Sequence, residues 1–83
     1  MATYLRINDV EDNSRDVRVI AADLIAFELE HEIPASKIES FKHMCWLAWK
    51  AETRATKSAK TFDEWLVDVD SVTDTDDPKA SSR

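Results

Sequence analysis

The sequence has no glycine, one cysteine and two prolines in 83 residues. Without glycine, the phosphate-cradling loops of nucleotide-binding motifs are excluded, and helix ends must use other residues as caps. A lone cysteine leaves no disulfide or metal framework to staple a small fold, and it suits a reducing compartment. No apolar run approaches the ~18 residues of a membrane span, and no charged-then-apolar N-terminus reads as a signal peptide. Basic residues are in the minority, 11 against 17 acidic ones, for a net charge of −6. That balance argues against nucleic acid as the main partner, because phosphate contacts need clustered Lys and Arg. What remains is a small acidic domain of modest stability, since a chain this short buries only about 60–65% of its unfolded surface.

The most apolar stretch is Phe41-Lys42-His43-Met44-Cys45-Trp46-Leu47-Ala48-Trp49, with two of the three tryptophans. It sits inside a predicted helix over Lys37–Ser58, opened by an S-x-x-E capping box at Ser36 and Glu39. At about 100° per residue, Ile38, Phe41, Met44, Cys45, Ala48 and Trp49 share one stripe, which is expected to be buried. Trp46 and Leu47 fall off that stripe, toward the side with His43, Lys50 and Arg54. The middle of the helix is thus apolar nearly all round, so either it is packed on both sides or one side meets a partner.

Before it, Thr3-Tyr4-Leu5-Arg6-Ile7 and Asp16-Val17-Arg18-Val19-Ile20 alternate around a polar loop and predict an antiparallel hairpin over Thr3–Ile20. A hairpin alone is marginal in water, so it must pack on the helices or pair with another chain. Ala21–His31 is rich in helix formers and predicts a helix with Leu24, Ile25, Phe27 and Leu29 on its apolar side, ended by Pro34. The long helix loses its stripe at Glu52, and its last turns are expected to project past the core. A second capping box, Thr61 with Glu64, opens a third helix over Phe62–Asp70, with Phe62, Trp65, Leu66 and Val69 on one face. The expected fold is α+β: a small N-terminal hairpin, then three helices, mostly helical. The domain is expected to cover residues 1–72. Residues 73–83, acidic and poor in apolar side chains, are expected to form a disordered tail dispensable for folding.

Candidate chemistry is sparse. Cys45 reads as a small buried hydrophobe. His43 and Cys45, two apart on a helix, point in different directions and do not share a metal, with or without His31. Glu28, Glu30, Glu32 and Glu39 read as a solvated helix face, and no nucleophile–base pairing is visible. The aspartates after Asp68 lack the glycine and terminal glutamate of a calcium loop. No catalytic residue, cofactor or metal is expected, and the chain reads as a non-enzyme. Trp49 and Trp65 read as core. Trp46 sits at the stripe's edge and is compatible with core or surface; with Leu47 beside a basic rim at Lys50, it has the composition of a binding hot spot.

Four pieces in order carry a resemblance: the strand Val17-Arg18-Val19, the helix start Asp23-Leu24-Ile25-Ala26-Phe27-Glu28, the core Leu47-Ala48-Trp49-Lys50-Ala51, and Phe62-Asp63-Glu64-Trp65-Leu66-Val67-Asp68-Val69-Asp70. Over the roughly fifty positions from Asp23 to Val72, the chain resembles the small tail assembly chaperones of long-tailed bacteriophages. It departs from them at Lys57-Ser58-Ala59-Lys60, where relatives often carry a glycine. The resemblance implies a non-enzymatic factor that binds the tape-measure protein and helps recruit tail-tube subunits. It would act in the cytoplasm of the bacterial host and be absent from the mature virion. On that reading Trp46, Leu47 and Lys50 are the expected partner contacts, with Phe27 on the first helix as the next candidate. Self-association is expected from the incomplete core. The alternative is a small acidic phage regulator occupying a host protein's nucleic-acid-binding site, motivated by the negative charge.

Overall fold

The computed structural model describes residues 4–38 and 40–75. Two strands, β1 (Tyr4–Asp9) and β2 (Ser14–Arg18), form the expected hairpin. At its turn the Asp9 carboxylate accepts the N–H groups of Glu11 and Asn13 at 2.9 and 3.0 Å. Asp12 takes the left-handed conformation there, φ 67°, a role that aspartate tolerates better than most residues. Leu5, Ile7 and Val17 point inward, while Arg6 and Asp16 pair across the outer face at 2.8 Å. Helix α1 follows over Ala21–His31 with the expected bounds. Ile20 at its N-cap has no side-chain oxygen, so Asp23 reaches back and accepts the Ile20 N–H at 3.0 Å.

After a short 3-10 turn at Ala35–Lys37, α2 runs over Phe41–Thr56 and α3 over Phe62–Leu66, and the chain closes with β3 (Val69–Thr75). Three of these elements correct the sequence-based expectation. First, α2 starts at Phe41 and is capped by Ser40, whose hydroxyl accepts the His43 N–H at 3.1 Å. The expected start at Lys37 falls in the 3-10 turn, and Glu39 of the expected capping box lies outside the described residues. Second, α3 is opened as expected by Thr61 and Glu64, each holding the other's backbone N–H at 3.2 and 2.9 Å. It ends at Leu66 rather than Asp70, however. Third, Val69–Thr75 is a strand. It pairs antiparallel with β1, Ile7 opposite Val72 and Tyr4 opposite Thr75, with a register irregularity at Asn8/Asp9. The sheet order is therefore β2-β1-β3, and residues 73–75 belong to it. Val72 and its β-branched neighbours suit a ladder, and pairing with β1 outweighs the acidic composition. The expectation of a disordered tail over 76–83 lies outside the described residues.

The helices cover one face of the sheet. The core consists of Leu5, Ile7, Val17, Val19 and Val72 from the sheet side, with Phe27, Cys45, Leu47, Ala48, Ala51 and Trp65 from the helices. Helix α2 lays its small residues Cys45, Ala48 and Ala51 inward, which lets it approach the strands closely. This rotates the helix relative to the expected stripe. Leu47 turns into the core at 2% exposure, and Phe41, at the open first turn, is 57% exposed. The end of α2 does not project past the core either. Arg54 donates to both carboxylate oxygens of buried Asp23, at 2.9 and 3.1 Å, and to the Arg18 carbonyl at 3.1 Å. It thereby ties α2 to the start of α1 and the end of β2. With no glycine available, α1 and α2 both close on a left-handed non-glycine residue, Glu32 and Lys57, each at φ 56°.

Candidate functional site

The side of α2 turned away from the sheet carries a continuous band of rings. Phe27 of α1 lies 5.9 Å centroid to centroid from Trp46, and His31 lies 5.0 Å from it. Trp46 meets Trp49 at 5.6 Å, Trp49 meets Phe62 at 5.6 Å, and Phe62 stacks on Trp65 at 6.3 Å. Most of these contacts are edge-to-face or tilted, the arrangement favoured by aromatic quadrupoles. His43 joins the band's α1 end, 5.0 Å from His31 and 5.2 Å from Phe27. The band exists because Phe27 and His31 sit one turn apart on α1, as do Trp46 and Trp49 on α2, and the two helices pack with these rows facing.

Exposure varies along the band. Phe27 is fully buried, Trp65 is 4% exposed, and Trp46, Trp49, His31, His43 and Phe62 are half-buried. The Trp49 indole N–H donates to the Lys60 carbonyl at 2.9 Å, which fixes that ring although the sequence placed it in the core. Lys50 sets its Nζ 5.7 Å from the Trp49 ring centroid, a cation–π rim on the band.

The four residues expected to contact a partner do not form one surface. Trp46 and Lys50 lie on the band and are partly open to solvent. Phe27 supports Trp46 from beneath, offering a partner no surface of its own. Leu47 faces the other way, into the floor of an apolar groove of about 450 Å³ that it lines with Leu5, Leu24, Ile38 and Met44. The sequence argument set Trp46 and Leu47 off the buried stripe together; Trp46 is half-buried, as is Trp49 on the stripe, and Leu47 is core. The small size of Cys45, Ala48 and Ala51 was the available signal for which side approaches the sheet.

At the other end of the band, the Trp65 indole N–H donates to Glu52 Oε1 at 2.8 Å, and Arg15 clasps the same carboxylate with two hydrogen bonds. Burial alone would push the Glu52 carboxyl up. The hydrogen bonds from Arg15 and Trp65, with the charges of Arg15 and Lys60, outweigh it and hold Glu52 below its ordinary value. Glu52 was expected to mark the loss of the apolar stripe; it is the acceptor that lets Trp65 be buried. Around it, a charged recess of about 310 Å³ is lined by Asp9, Arg15, Glu52, Lys60 and Asp68. Its cations are engaged internally, Arg15 with Glu52 and Asp9, and Lys60 with Asp68 at 4.0 Å. Burial pushes the Cys45 thiol up, away from the reactive thiolate. Among the described residues, no helix is long and apolar enough to cross a membrane. Compared with family models, curated proteins and solved structures, the chain has no match in any of the three.

Proposed function

We propose that this chain is a non-enzymatic tail assembly chaperone of a long-tailed bacteriophage. It binds the tape-measure protein while that protein's apolar helical stripes are still uncovered, and it helps bring tail-tube subunits to it. It works in the host cytoplasm and leaves before the virion is complete. The sequence resemblance from Asp23 to Val72 supports this reading. The structural observation that carries it is the half-buried Trp46, seated edge-to-face with Phe27, His31 and Trp49, with Lys50 over the neighbouring Trp49 ring. A tryptophan held by neighbouring rings and partly exposed presents an apolar contact at little entropic cost, which suits an anchor in a helix-in-groove contact.

The test is Trp46→Ala, with co-purification of the tape-measure protein as readout. Loss of an aromatic anchor costs about 2 kcal/mol of binding, roughly thirtyfold, and the fold is expected to persist by circular dichroism. Unchanged co-purification with an intact fold moves the contact away from the band. Recovery of the chain from purified virions would overturn the chaperone reading in favour of a structural tail component.

A further inference from the structure

Helix α1 is packed through Asp23, Phe27 and His31, and among the described residues its opposite side is left exposed. Ala22, Ile25 and Leu29 fall there within a sector of about 60° at 100° per residue. Their spacing of three and then four is that of one seam of a coiled coil. Ile25 is 57% exposed and Leu29 77% exposed. The sequence had assigned both to the buried side of this helix. Glu28 and Glu32 run along one border of the strip, and Glu30 lies beyond Ala26 on the other. The helix carries no Lys or Arg, and among the described residues none of these three glutamates is in an ion pair. Glu28 accepts the Ala35 N–H at 2.8 Å but has no cation beside it among the described residues, and an exposed apolar seam bordered by carboxylates without ion-pair partners is complementary to the opposite pattern.

We infer that this strip is a second docking surface, separate from the aromatic band, and that its occupant is an amphipathic helix whose apolar seam is flanked by Lys or Arg. A second copy docked through the same strip is disfavoured, because a two-fold contact would set glutamates against glutamates. The surface goes beyond the tape-measure reading: it follows from the chemistry of α1 and would hold for any helical partner with basic flanks.

The probe is a synthetic peptide of about three heptads with Leu at the two seam positions and Lys beside them, compared with the same peptide carrying Glu in place of Lys. Binding to the full chain is followed by fluorescence anisotropy. The Lys peptide is expected to bind at least tenfold more tightly than the Glu peptide. Leu29→Asp is expected to weaken it at least tenfold, with an unchanged circular dichroism spectrum. Glu32→Lys is expected to narrow the preference between the peptides at least threefold; the left-handed backbone there accepts lysine, as Lys57 shows at the end of α2. Trp46→Ala should leave peptide binding unchanged, whatever it does to tape-measure co-purification, so the two proposals fail separately. Equal binding of both peptides, or Lys-peptide binding indifferent to Leu29→Asp, overturns the inference. So does concentration-dependent self-association of the free chain that Leu29→Asp abolishes, since the strip would then belong to a second copy.

Discussion

Trp65, at one end of the aromatic band, and Trp46, between Trp49 and the rings of α1, have different surroundings. Trp65 is sealed in: it is 4% exposed, its indole N–H is satisfied by Glu52, and that carboxylate is held by Arg15. Trp46 is propped rather than sealed, with three rings against it and part of its surface left to solvent. Burying a tryptophan requires an acceptor for its N–H, and the acceptor then needs compensation for its charge. That chain of dependence is complete at Trp65. The residue type is the same in both places, and the presence of a polar partner for the indole N–H separates the two.

The largest expected effect tests the sealed end. Trp65→Ala should destabilise the domain by about 3–5 kcal/mol, enough to unfold much of a chain with a total near 5 kcal/mol, whereas Trp46→Ala should cost well under half as much. Chemical denaturation of the two variants side by side measures the difference; equal losses would erase the distinction. Next comes Arg54→Ala, which leaves the Asp23 carboxylate, 1% exposed, with only the Ile20 N–H among the described residues. The expected loss is about 2 kcal/mol, below the 3–5 kcal/mol of a fully buried pair because water reaches Arg54. Asp23→Asn together with Arg54→Ala should recover part of it.

The smallest effect concerns pH. Glu52 has a folded-state value held below its ordinary one, so its contribution is present above the ordinary carboxylate range and is lost as pH falls through the lowered value. Glu52→Gln should therefore be less stable than the parent near neutrality, and the gap should narrow as the solution is acidified. A gap in melting temperature that stays constant with pH would show that the Glu52 carboxylate contributes by shape rather than charge.

The elements that could be read from sequence are those whose cause is local. Helix α1 has its helix formers and the following proline, α3 its Thr61–Glu64 box, and β1–β2 their alternation about an Asp-rich turn. Strand β3 had no such local cause. Its acidic residues matched the signature of disorder, and it is a strand because β1 offers a free edge. Nor could the clamp on Asp23 be read, since its partner Arg54 lies 31 positions away. Within the candidate site, Trp46 and Lys50 could be set off the buried stripe from helical spacing alone, and both are half-buried. Leu47 and Phe27 were misplaced because the rotation of a helix that is apolar nearly all round is set by what it packs against. The exposed seam of Ile25 and Leu29 was hidden by the same ambiguity in α1.

The central position of β1 also affects how the molecule is made. Strand β1 leaves the ribosome before either of its neighbours, and the second of them, β3, is the last element of the described chain. Asn8 and Ser71, hydrogen-bonded across β1 and β3, are 63 positions apart. At ~5–20 residues per second, translation takes ~3–13 s to cover that distance. Through that interval the nascent hairpin has a vacant hydrogen-bonding edge, a site at which another nascent chain could pair before β3 arrives.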